Sequence, residues 1–375
     1  MVNEMFASTE WVDRSRRYLR KRGLLSFCFA AVDVALPEPL GTRFRARRKI
    51  FFDAFSPAAS IPLGDRIQMV RHGFPPKLFY LYGLDGDEDP NLYLDDVARR
   101  EAKYINDRYE WLDDKQKFYA YLRTCGWGAF LPTVYGRIAN GRFRSEQYSS
   151  LAEVLHEQDP VVIKRRRGAA GNNVYICTDE DASLDSSDPH HIHLDETALT
   201  EFGNHLVTEY CSQAGYAERI YPNAANTVRL LTVRTDEGVR IPAAAHRIGS
   251  ASTGVLDNFS QGGLSAAIDT STGELSPAVE PSASGPQWHD RHPNTDELIA
   301  GVTIPGWATI RETIRKIASD TSAFDYVGWD LIVTAPGEFR IIEANSYPDP
   351  DLFQVHEPVL ANESIRRFYQ EHDII

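Results

Sequence analysis

Asp330 and Glu343 stand in two apolar, β-branched segments that flank a Pro-Gly turn at 336–337, a pattern that predicts an antiparallel hairpin. With the turn centred there, Asp330 lies opposite Glu343, and Asn345 points to the same side. Opposed residues on neighbouring strands have β-carbons about 5 Å apart, so two buried carboxylates repel unless a cation separates them or one stays protonated. Three oxygen-bearing side chains at this spacing suit Mg²⁺, which keeps its remaining sites for water and phosphate.

The same register divides the apolar residues of the hairpin between two faces. It places Leu331 opposite Ile342 and predicts a core face made of Trp329, Leu331, Val333, Ile342 and Ala344. The other face carries Ile332, Phe339 and Ile341 beside the polar residues, which indicates that it is covered. A covered metal site is therefore the favoured interpretation, and an exposed hairpin end with hydrated carboxylates is the alternative.

A cationic, glycine-bearing loop lies upstream of the hairpin. A strand ending at Lys164 is followed by Arg165–Arg167, then by Gly168 and Gly171, and then by a second strand. Glycines let backbone N–H groups approach an anion, and the lysine adds a point charge. The loop lacks P-loop spacing and no helix follows it, so it is not a Walker site. We predict a lid that closes over a triphosphate, with an ordinary basic hairpin loop as the alternative.

Two weaker candidates accompany the lid. Lys115 follows Asp113 and Asp114 at the start of a helix and is a second candidate phosphate contact. Glu209 ends a strand that leads into Cys211, where a carboxylate could accept a hydrogen bond from an adenine amine while neighbouring backbone groups complete the contact. Alone, neither residue is informative.

The elements that position these residues are strands followed by flanking helices, with little strict alternation. This segregation favours an α+β fold over a doubly wound sheet. We divide the chain into a mostly helical or mixed N-terminal region at 1–110, a nucleotide-lid subdomain at 111–210, and a metal- and substrate-binding subdomain at 211–375. Strands are predicted at 132–138, 161–164, 174–177, 206–210, 226–235, 240–249, 263–268, 327–334 and 339–345. Helices are predicted at 11–22, within 94–122, at 150–157, through Glu201, at 307–319 and at 360–372.

Charge and cysteine content narrow the class of protein. The net charge is −13, yet residues 1–50 hold 11 Lys and Arg against 5 Asp and Glu. This basic end predicts either contact with an anionic surface or partner, or a solvated face that docks on the acidic remainder. The acidic body argues against nucleic-acid binding. Four separated cysteines fit a reducing cytoplasm. The histidines at 190, 191 and 193 are interpreted as solvated loop residues.

The order of these motifs resembles the ATP-grasp superfamily, and most closely its sugar-transfer-associated family. The likeness covers roughly residues 111–357. Beyond the motifs above, it rests on Asn226–Arg229, His246–Gly249, Asp257–Gly263, His292–Pro293, Ile304–Trp307, Gly328–Asp330, Glu343–Asn345, Pro348–Asp349 and Gln354.

The resemblance implies ATP held between two α+β subdomains. Lys115 and Lys164 would contact its phosphates, and Glu209 its adenine or ribose. Asp330, Glu343 and Asn345 would hold two Mg²⁺ ions, with Mn²⁺ as a substitute and Glu343 as the bridging ligand. Arg229 and Arg247 would face the transferred phosphoryl group and the acceptor. Arg165–Arg167 depart from the family pattern, and the extra charge would engage a further anionic group.

The leading functional hypothesis is an ATP- and Mg²⁺-dependent ligase that joins a small-molecule or carrier-linked carboxylate to an amine, or to a thiol, through an acyl phosphate. The family name associates it with cell-surface polysaccharide or secondary-metabolite biosynthesis. A kinase acting on a sugar or polyol hydroxyl is the alternative, with Asp257 or His246 as general base. A non-catalytic ATP-binding regulator is the third hypothesis, and the complete metal set weighs against it.

Overall fold

The computed structural model describes residues 36–56, 61–168, 174–178, 202–282 and 285–375. Within these ranges the chain combines helices with two antiparallel sheets, which confirms the α+β class. Some sequence predictions fall outside the described residues. They are the helices at 11–22 and through Glu201, the basic residues at 14–22, the histidines at 190, 191 and 193, and Gly171.

The described part of residues 36–110 contains only helices as regular elements, which confirms a helical N-terminal region, and two further helices follow before the first strand. The α-helices described before the first strand are α1 (Leu40–Ala54), α2 (Leu63–His72), α3 (Pro76–Leu81), α4 (Asp96–Glu101), α5 (Tyr109–Leu112) and α6 (Lys115–Thr124). The later helices are α7 (Leu151–Gln158), α8 (Gly215–Ile220), α9 (Trp307–Asp320), α10 (Asp351–Gln354) and α11 (Glu363–Glu371).

In the described residues, the smaller sheet has five strands in the order β2-β1-β5-β3-β4. They are β1 (Val134–Ala139), β2 (Arg142–Arg144), β3 (Val161–Arg165), β4 (Val174–Cys177) and β5 (His205–Glu209). Helix α7 packs Val154 and Leu155 against Val161, Ile163 and Val207 to form the core of this sheet. Its N-terminus is capped by Ser150, whose side chain accepts a hydrogen bond from the backbone N–H of Glu153.

The larger sheet has seven strands in the described residues, in the order β10-β9-β8-β7-β6-β11-β12. They are β6 (Val228–Thr235), β7 (Gly238–Ile248), β8 (Leu264–Ile268), β9 (Leu275–Ser282), β10 (Gly285–His289), β11 (Tyr326–Ala335) and β12 (Glu338–Asn345). The central strands β6 and β11 are buried along most of their length, so the sheet is covered on both faces.

Two cores cover the two faces of the larger sheet. On one face, α9 presents Ile310, Ile314 and Ile317, which are spaced to share one side of a helix. On the other face, the N-terminal helices and α11 pack against Leu231 and other strand residues. The N-terminal helices thus share a core with the larger sheet. The division into three subdomains stays a prediction.

All strands predicted within the described residues are present, as are the helices at 150–157, 307–319 and 360–372. The predicted helical stretch at 94–122 is broken into α4, α5 and α6, because Asp114 caps a new helix start. Helices α1–α3, α8 and α10 and strands β2, β9 and β10 were missed. Strands β9 and β10 contain Pro277, Pro281 and Pro286, which hide a strand from sequence patterns because proline lacks the ladder N–H.

The hairpin formed by β11 and β12 follows the predicted register at its open end, where Trp329 pairs with Ala344 and Asp330 with Glu343. Past this point the register shifts by one residue, so Leu331 pairs with Ile341. The predicted Leu331–Ile342 pair was therefore wrong, because a β-bulge at Ile342 adds an unpaired residue to β12.

The bulge also reverses the faces that were predicted for three apolar residues. Ile341 and Phe339 lie in the core, although they were assigned to the opposite face. Ile342, which was assigned to the core, lines a cavity between the two sheets. Ile332, Trp329 and Leu331 lie on their predicted faces. Among the described helices, none is long and apolar enough to cross a membrane.

The turn of this hairpin is positioned by a glycine in the loop before α9. Gly306 has φ +73°, and a β-carbon on it would come within 2.5 Å of the Cα of Gly337. The Gly337 N–H donates a 3.0 Å hydrogen bond to the carbonyl of Pro305, which joins the loop to the turn. The absence of a side chain at Gly306 therefore allows α9 and the hairpin to pack closely.

We expect Gly306→Ala to lower the free energy of unfolding by about 2–5 kcal/mol, since it adds overpacking to the cost of a left-handed backbone. Gly301→Ala is the matched control: Gly301 has φ +80°, but nothing lies within 4 Å of the added carbon. Its cost should be about 1–2 kcal/mol. Urea unfolding measures both changes, and equal losses would contradict the role assigned to close packing.

Candidate functional site

A cavity between the two sheets collects most of the predicted site residues. The smaller sheet and the segment after β5 contribute Lys164, Glu209 and Cys211, and the larger sheet contributes Arg247, Asp330 and Glu343. Lys115 and Gly168 also line it. We call this space the inter-sheet cavity. Its apolar lining includes Pro132, Val162, Val174, Ile176, Val255, Leu256, Ile332 and Ile342.

Asp330, Glu343 and Asn345 converge at one end of the cavity. Asp330 and Glu343 are directly paired across β11 and β12. The amide nitrogen of Asn345 is 3.4 Å from both Asp330 Oδ2 and Glu343 Oε1. Since the two ends of an amide differ only in their hydrogen-bond roles, a half rotation would turn its oxygen toward the same point. The three side chains can therefore present oxygens to one cation.

Each carboxylate of this set already has a cationic partner. Asp330 forms a bidentate pair with Arg229, whose Nη2 is 2.7 Å from Oδ2, and Arg247 lies 3.3 Å from the same oxygen. Glu343 accepts from Lys115 at 2.9 Å. Removing two charges from water costs several kcal/mol per ion unless they are paired. These contacts stabilise the close carboxylates.

The two carboxylates differ in their protonation behaviour. Burial, together with the nearby charge of Glu343, raises the pKa of Asp330 to about 6 against the opposing effect of Arg229 and Arg247. Burial also disfavours the ionised form of Glu343, but Lys115 and a hydrogen bond with Asp330 outweigh burial and lower the pKa of Glu343. Glu343 is thus the more firmly charged member, and a bound cation would favour the ionised form of both.

The donor set fits Mg²⁺ better than a transition metal. Across the residues that the structure describes, there is no cluster of three or more His, Cys, Asp or Glu side chains that could hold a metal. Two carboxylates and an amide offer only oxygen ligands, which suit Mg²⁺. Zn²⁺ sites instead usually contain Cys sulfur or His nitrogen.

The two predicted phosphate lysines both line the inter-sheet cavity with Asp330 and Glu343, and they have different partners. Lys115 Nζ donates to the Gly168 carbonyl at 3.2 Å as well as pairing with Glu343, so it joins the base of the lid to the metal end. Lys164 Nζ is 3.1 Å from the Tyr119 hydroxyl and 3.3 Å from the Ile342 carbonyl, which the bulge makes accessible. Burial lowers the pKa of Lys164. Gly171 lies outside the described residues.

The arginines of the lid are anchored to a residue that the sequence analysis passed over. Asp114 is fully buried and pairs with Arg166 at 2.7 Å and Arg167 at 2.9 Å. These two arginines overcome the effect of burial and lower the pKa of Asp114 to about 2. The expectation that the arginine run engages a further anion does not fit these contacts for Arg166 and Arg167. The sequence signal that could have identified Asp114 is its position directly before Lys115, a predicted phosphate contact.

The other end of the cavity is more apolar. Glu209 Oε2 accepts from the backbone N–H of Thr133 at 2.9 Å, which holds this carboxylate at the edge of the smaller sheet. Cys211 is buried, and burial raises the pKa of its thiol to about 11, so it stays protonated. This end offers apolar walls with few polar groups, a lining that suits an aromatic ring.

The two predicted catalytic arginines have different positions. Arg247 lines the inter-sheet cavity and pairs with Asp257 at 2.8 Å. Arg229 lies behind Asp330, donates to the Pro348 carbonyl at 2.6 Å and does not line the cavity. The expectation that Arg229 faces a ligand therefore does not match its position. Its contacts are those of a residue that positions Asp330.

Two antiparallel sheets that enclose a cavity, one bearing the cationic strand end at Lys164–Arg167 and the other the opposed carboxylates, constitute an ATP-grasp fold. The chain belongs to the sugar-transfer associated ATP-grasp family, whose model matches residues 99–367. ATP-grasp proteins bind ATP. No curated protein matches the chain.

Solved structures similar to this chain are distant from it. An N5-carboxyaminoimidazole ribonucleotide synthetase in complex with ADP has 12% identity and a TM-score of 0.38, covering 68% of this chain and 52% of its own. An L-amino acid ligase from Bacillus licheniformis has 11% identity and a TM-score of 0.34, with 64% and 41% coverage. The ATP-grasp ligase PsnB, bound to precursor peptide PsnA2 and AMPPNP, has 12% identity and a TM-score of 0.36, and the match covers 70% of this chain and 61% of PsnB. The chain thus spans less than two thirds of each, and scores this low say nothing about its substrates.

We expect Arg229→Met to lower the free energy of unfolding by about 3–5 kcal/mol, because it leaves Asp330 buried without its bidentate partner. The double variant Arg229→Met/Asp330→Asn should recover part of this loss, since the unpaired charge is gone. Urea unfolding of both variants, of Asp330→Asn alone and of the wild type gives the four free energies of a double-mutant cycle. Strictly additive losses would show that the pair is not coupled.

Proposed function

We propose that the chain is an ATP- and Mg²⁺-dependent ligase that activates a carboxylate as an acyl phosphate and joins it to an amine, or to a thiol. The observation that carries this proposal is the convergence of Asp330, Glu343 and Asn345 where the inter-sheet cavity meets Lys115. Membership of the ATP-grasp family supports the nucleotide.

The lining of the inter-sheet cavity supports one orientation of ATP. Its adenine would lie against the apolar walls near Glu209 and Cys211, where a carboxylate and backbone groups can meet its polar edge. Its phosphates would extend toward Lys115 and Lys164, the two lysines that line the cavity. The lid at Gly168 would cover the phosphates with backbone N–H groups.

Asp330, Glu343 and Asn345 would hold the two Mg²⁺ ions, and Mn²⁺ is expected to substitute. When bound, the metal neutralises charge on the phosphoryl oxygens. Arg229 holds Asp330 in place through its two hydrogen bonds. Lys115 holds Glu343 and is near enough to share its charge with a terminal phosphate.

The proposed reaction has two displacements. An oxygen of the substrate carboxylate attacks the γ-phosphorus, the bond to the bridging oxygen breaks, and ADP leaves. The amine then attacks the acyl carbon, phosphate leaves, and the amine loses a proton. Arg247 is placed at the cavity wall to stabilise charge on the transferred group. The lid would exclude water, which otherwise hydrolyses an acyl phosphate.

Two buried side chains weigh against the kinase alternative, which needs a general base. His246 is held at both ring nitrogens, one 2.9 Å from the Tyr216 hydroxyl and the other 3.1 Å from the Arg247 carbonyl. Burial lowers the pKa of His246 to about 4. Asp257 accepts from the Thr227 N–H and pairs with Arg247. Acyl-phosphate formation needs no base, because the attacking carboxylate is already ionised.

The substrates are proposed only as chemical classes. A small-molecule or carrier-linked carboxylate and an amine fit the reaction, and the family description associates it with sugar transfer. A place in polysaccharide or secondary-metabolite biosynthesis is proposed from that association alone. The cytoplasmic location inferred from the separated cysteines stays a prediction.

We expect Glu343→Gln to remove the effect of Mg²⁺ on nucleotide binding. In the wild type, Mg²⁺ should tighten AMPPNP binding about tenfold or more over EDTA, because the metal links the phosphates to Glu343. The variant should lose this gain and at least about a hundredfold in turnover. Glu338→Gln, at the exposed hairpin turn, is the matched control and should behave as the wild type. A full Mg²⁺ effect in Glu343→Gln would refute the metal assignment.

The reaction class can be assigned by product mass. Wild-type protein incubated with MgATP and pools of carboxylic acids and amines should give ADP, phosphate and a product lighter by one water than its two parents. Mass spectrometry would detect it. A phosphorylated alcohol and no free phosphate would instead identify a kinase, and AMPPNP binding without ADP release in any pool would favour the regulator.

A further inference from the structure

A second cavity, of about 770 Å³, lies on the far side of the proposed metal ligands. It shares Lys115, Gly168 and Glu343 with the inter-sheet cavity, so the two spaces meet where the terminal phosphate of ATP is proposed to lie. Its volume is in the range of small-molecule pockets, about 300–1,000 Å³. We call it the basic cavity.

The charge of the basic cavity is opposite to that of the chain. Among the described residues, six Lys and Arg side chains line it against three acidic ones, while the net charge of the chain is −13. A concave site lined mainly by one sign of charge focuses the field and attracts the opposite ion. The basic residues are Arg45, Lys49, Arg100, Lys103, Lys115 and Arg167.

Helix spacing explains how these cations reach one space. Arg45 and Lys49 are four residues apart on α1 and so share one side of it, while Arg100 lies in α4 and Lys103 in the 3₁₀ helix Ala102–Ile105 that directly follows. The two walls are joined by the ion pair of Arg43 with Glu101 and by a 3.3 Å contact between the Thr42 and Tyr104 hydroxyls. The part of α1 that holds the basic residues at 43–49 thus forms one wall of the basic cavity.

A chain of polar contacts connects this wall to the metal end. Lys103 pairs with Asp113 at 3.0 Å, and Asp113 accepts from the Ser346 hydroxyl at 2.7 Å. Ser346 directly follows Asn345, which lines the basic cavity with Glu343. The far cations and the proposed metal ligands therefore belong to one continuous surface.

We propose that the basic cavity binds the carboxylate substrate, and that this substrate carries a second anionic group of the phosphate-ester type. This inference rests on the proposed function. The reacting carboxylate would lie at the Glu343 end, next to the terminal phosphate of ATP, and the second group would lie toward Arg45 and Lys49. A neutral substrate would leave these cations without a role in binding.

The present partners of these cations do not prevent binding. Lys49 is exposed, and its nearest acid, Asp53, is 3.8 Å away. Arg45 pairs with Glu38, and both side chains are 40% exposed. Exposed ion pairs are weak because water screens them, so a dianionic group can compete for the same cations.

Calorimetry with 3-phosphoglycerate and glycerate tests the proposal, because the two probes share a carboxylate and differ in one phosphate. The titrations use protein saturated with Mg²⁺ and AMPPNP, which fills the nucleotide site. Wild-type protein should bind 3-phosphoglycerate at least about tenfold more tightly than glycerate. Arg45→Gln/Lys49→Gln should reduce that preference about tenfold. Arg47→Gln, an exposed change on the same helix outside the cavity, should preserve it.

The outcomes separate this inference from the proposed function. Equal affinity for the two probes, or a double variant that binds 3-phosphoglycerate like the wild type, would overturn the anionic substrate while AMPPNP binding still supported the ligase. Loss of AMPPNP binding in the double variant would assign these cations to the nucleotide site instead. Failure of wild-type protein to bind AMPPNP with Mg²⁺ would refute the proposed function itself.

Phosphatidylglycerol and phosphatidylcholine vesicles distinguish a free phosphate ester from a phosphate at a lipid surface. The proposal expects the double variant to bind both kinds of vesicle as the wild type does. Preference for phosphatidylglycerol that disappears in the double variant, together with no binding of 3-phosphoglycerate, would assign α1 to a membrane surface and overturn the cavity.

Discussion

The structure depends on how two neighbouring carboxylates are kept together across β11 and β12. Asp330 is buried in the largely buried strand β11 and is paired in register with the partly buried Glu343 of β12, where isolated charges are disfavoured. The fold meets this constraint with cations from different parts of the chain. Arg229 and Arg247 compensate Asp330, and Lys115 compensates Glu343. The charges are therefore stabilised in pairs rather than removed.

The first of these cations, Arg229, comes from the strand next to β11 in the same sheet. Because β6 is the neighbour of β11, Arg229 is paired in register with Asp330, and its guanidinium reaches across one strand spacing. The second cation comes from outside the sheet, since Lys115 begins α6 and also contacts Gly168 at the base of the lid. One lysine thus contacts both the loop after β3 and the carboxylate of β12.

The sequence predicted the local parts of this arrangement better than the distant ones. The hairpin and its Asp330–Glu343 pair follow from a Pro-Gly turn and alternating residues, which depend on neighbours in the chain. The bulge at Ile342 could not be predicted in this way, because it satisfies Lys164 and Tyr119 from another sheet and helix. The pairing of Arg229 with Asp330 depends on strand order, which spacing does not encode. Asp114 was missed for the same reason: its partners are about fifty residues away in sequence.

The cations and the proposed metal are two solutions to the same electrostatic problem. Without metal, Lys115 and the two arginines provide the positive charge that lets the carboxylates stay close. A nucleotide bound as proposed would bring Mg²⁺ and phosphates together, so positive and negative charge would be added at the same time and the local charge would stay nearly balanced. Lys115 pairs with Glu343 and lines both cavities, so it would then lie beside the carboxylates and the phosphates together.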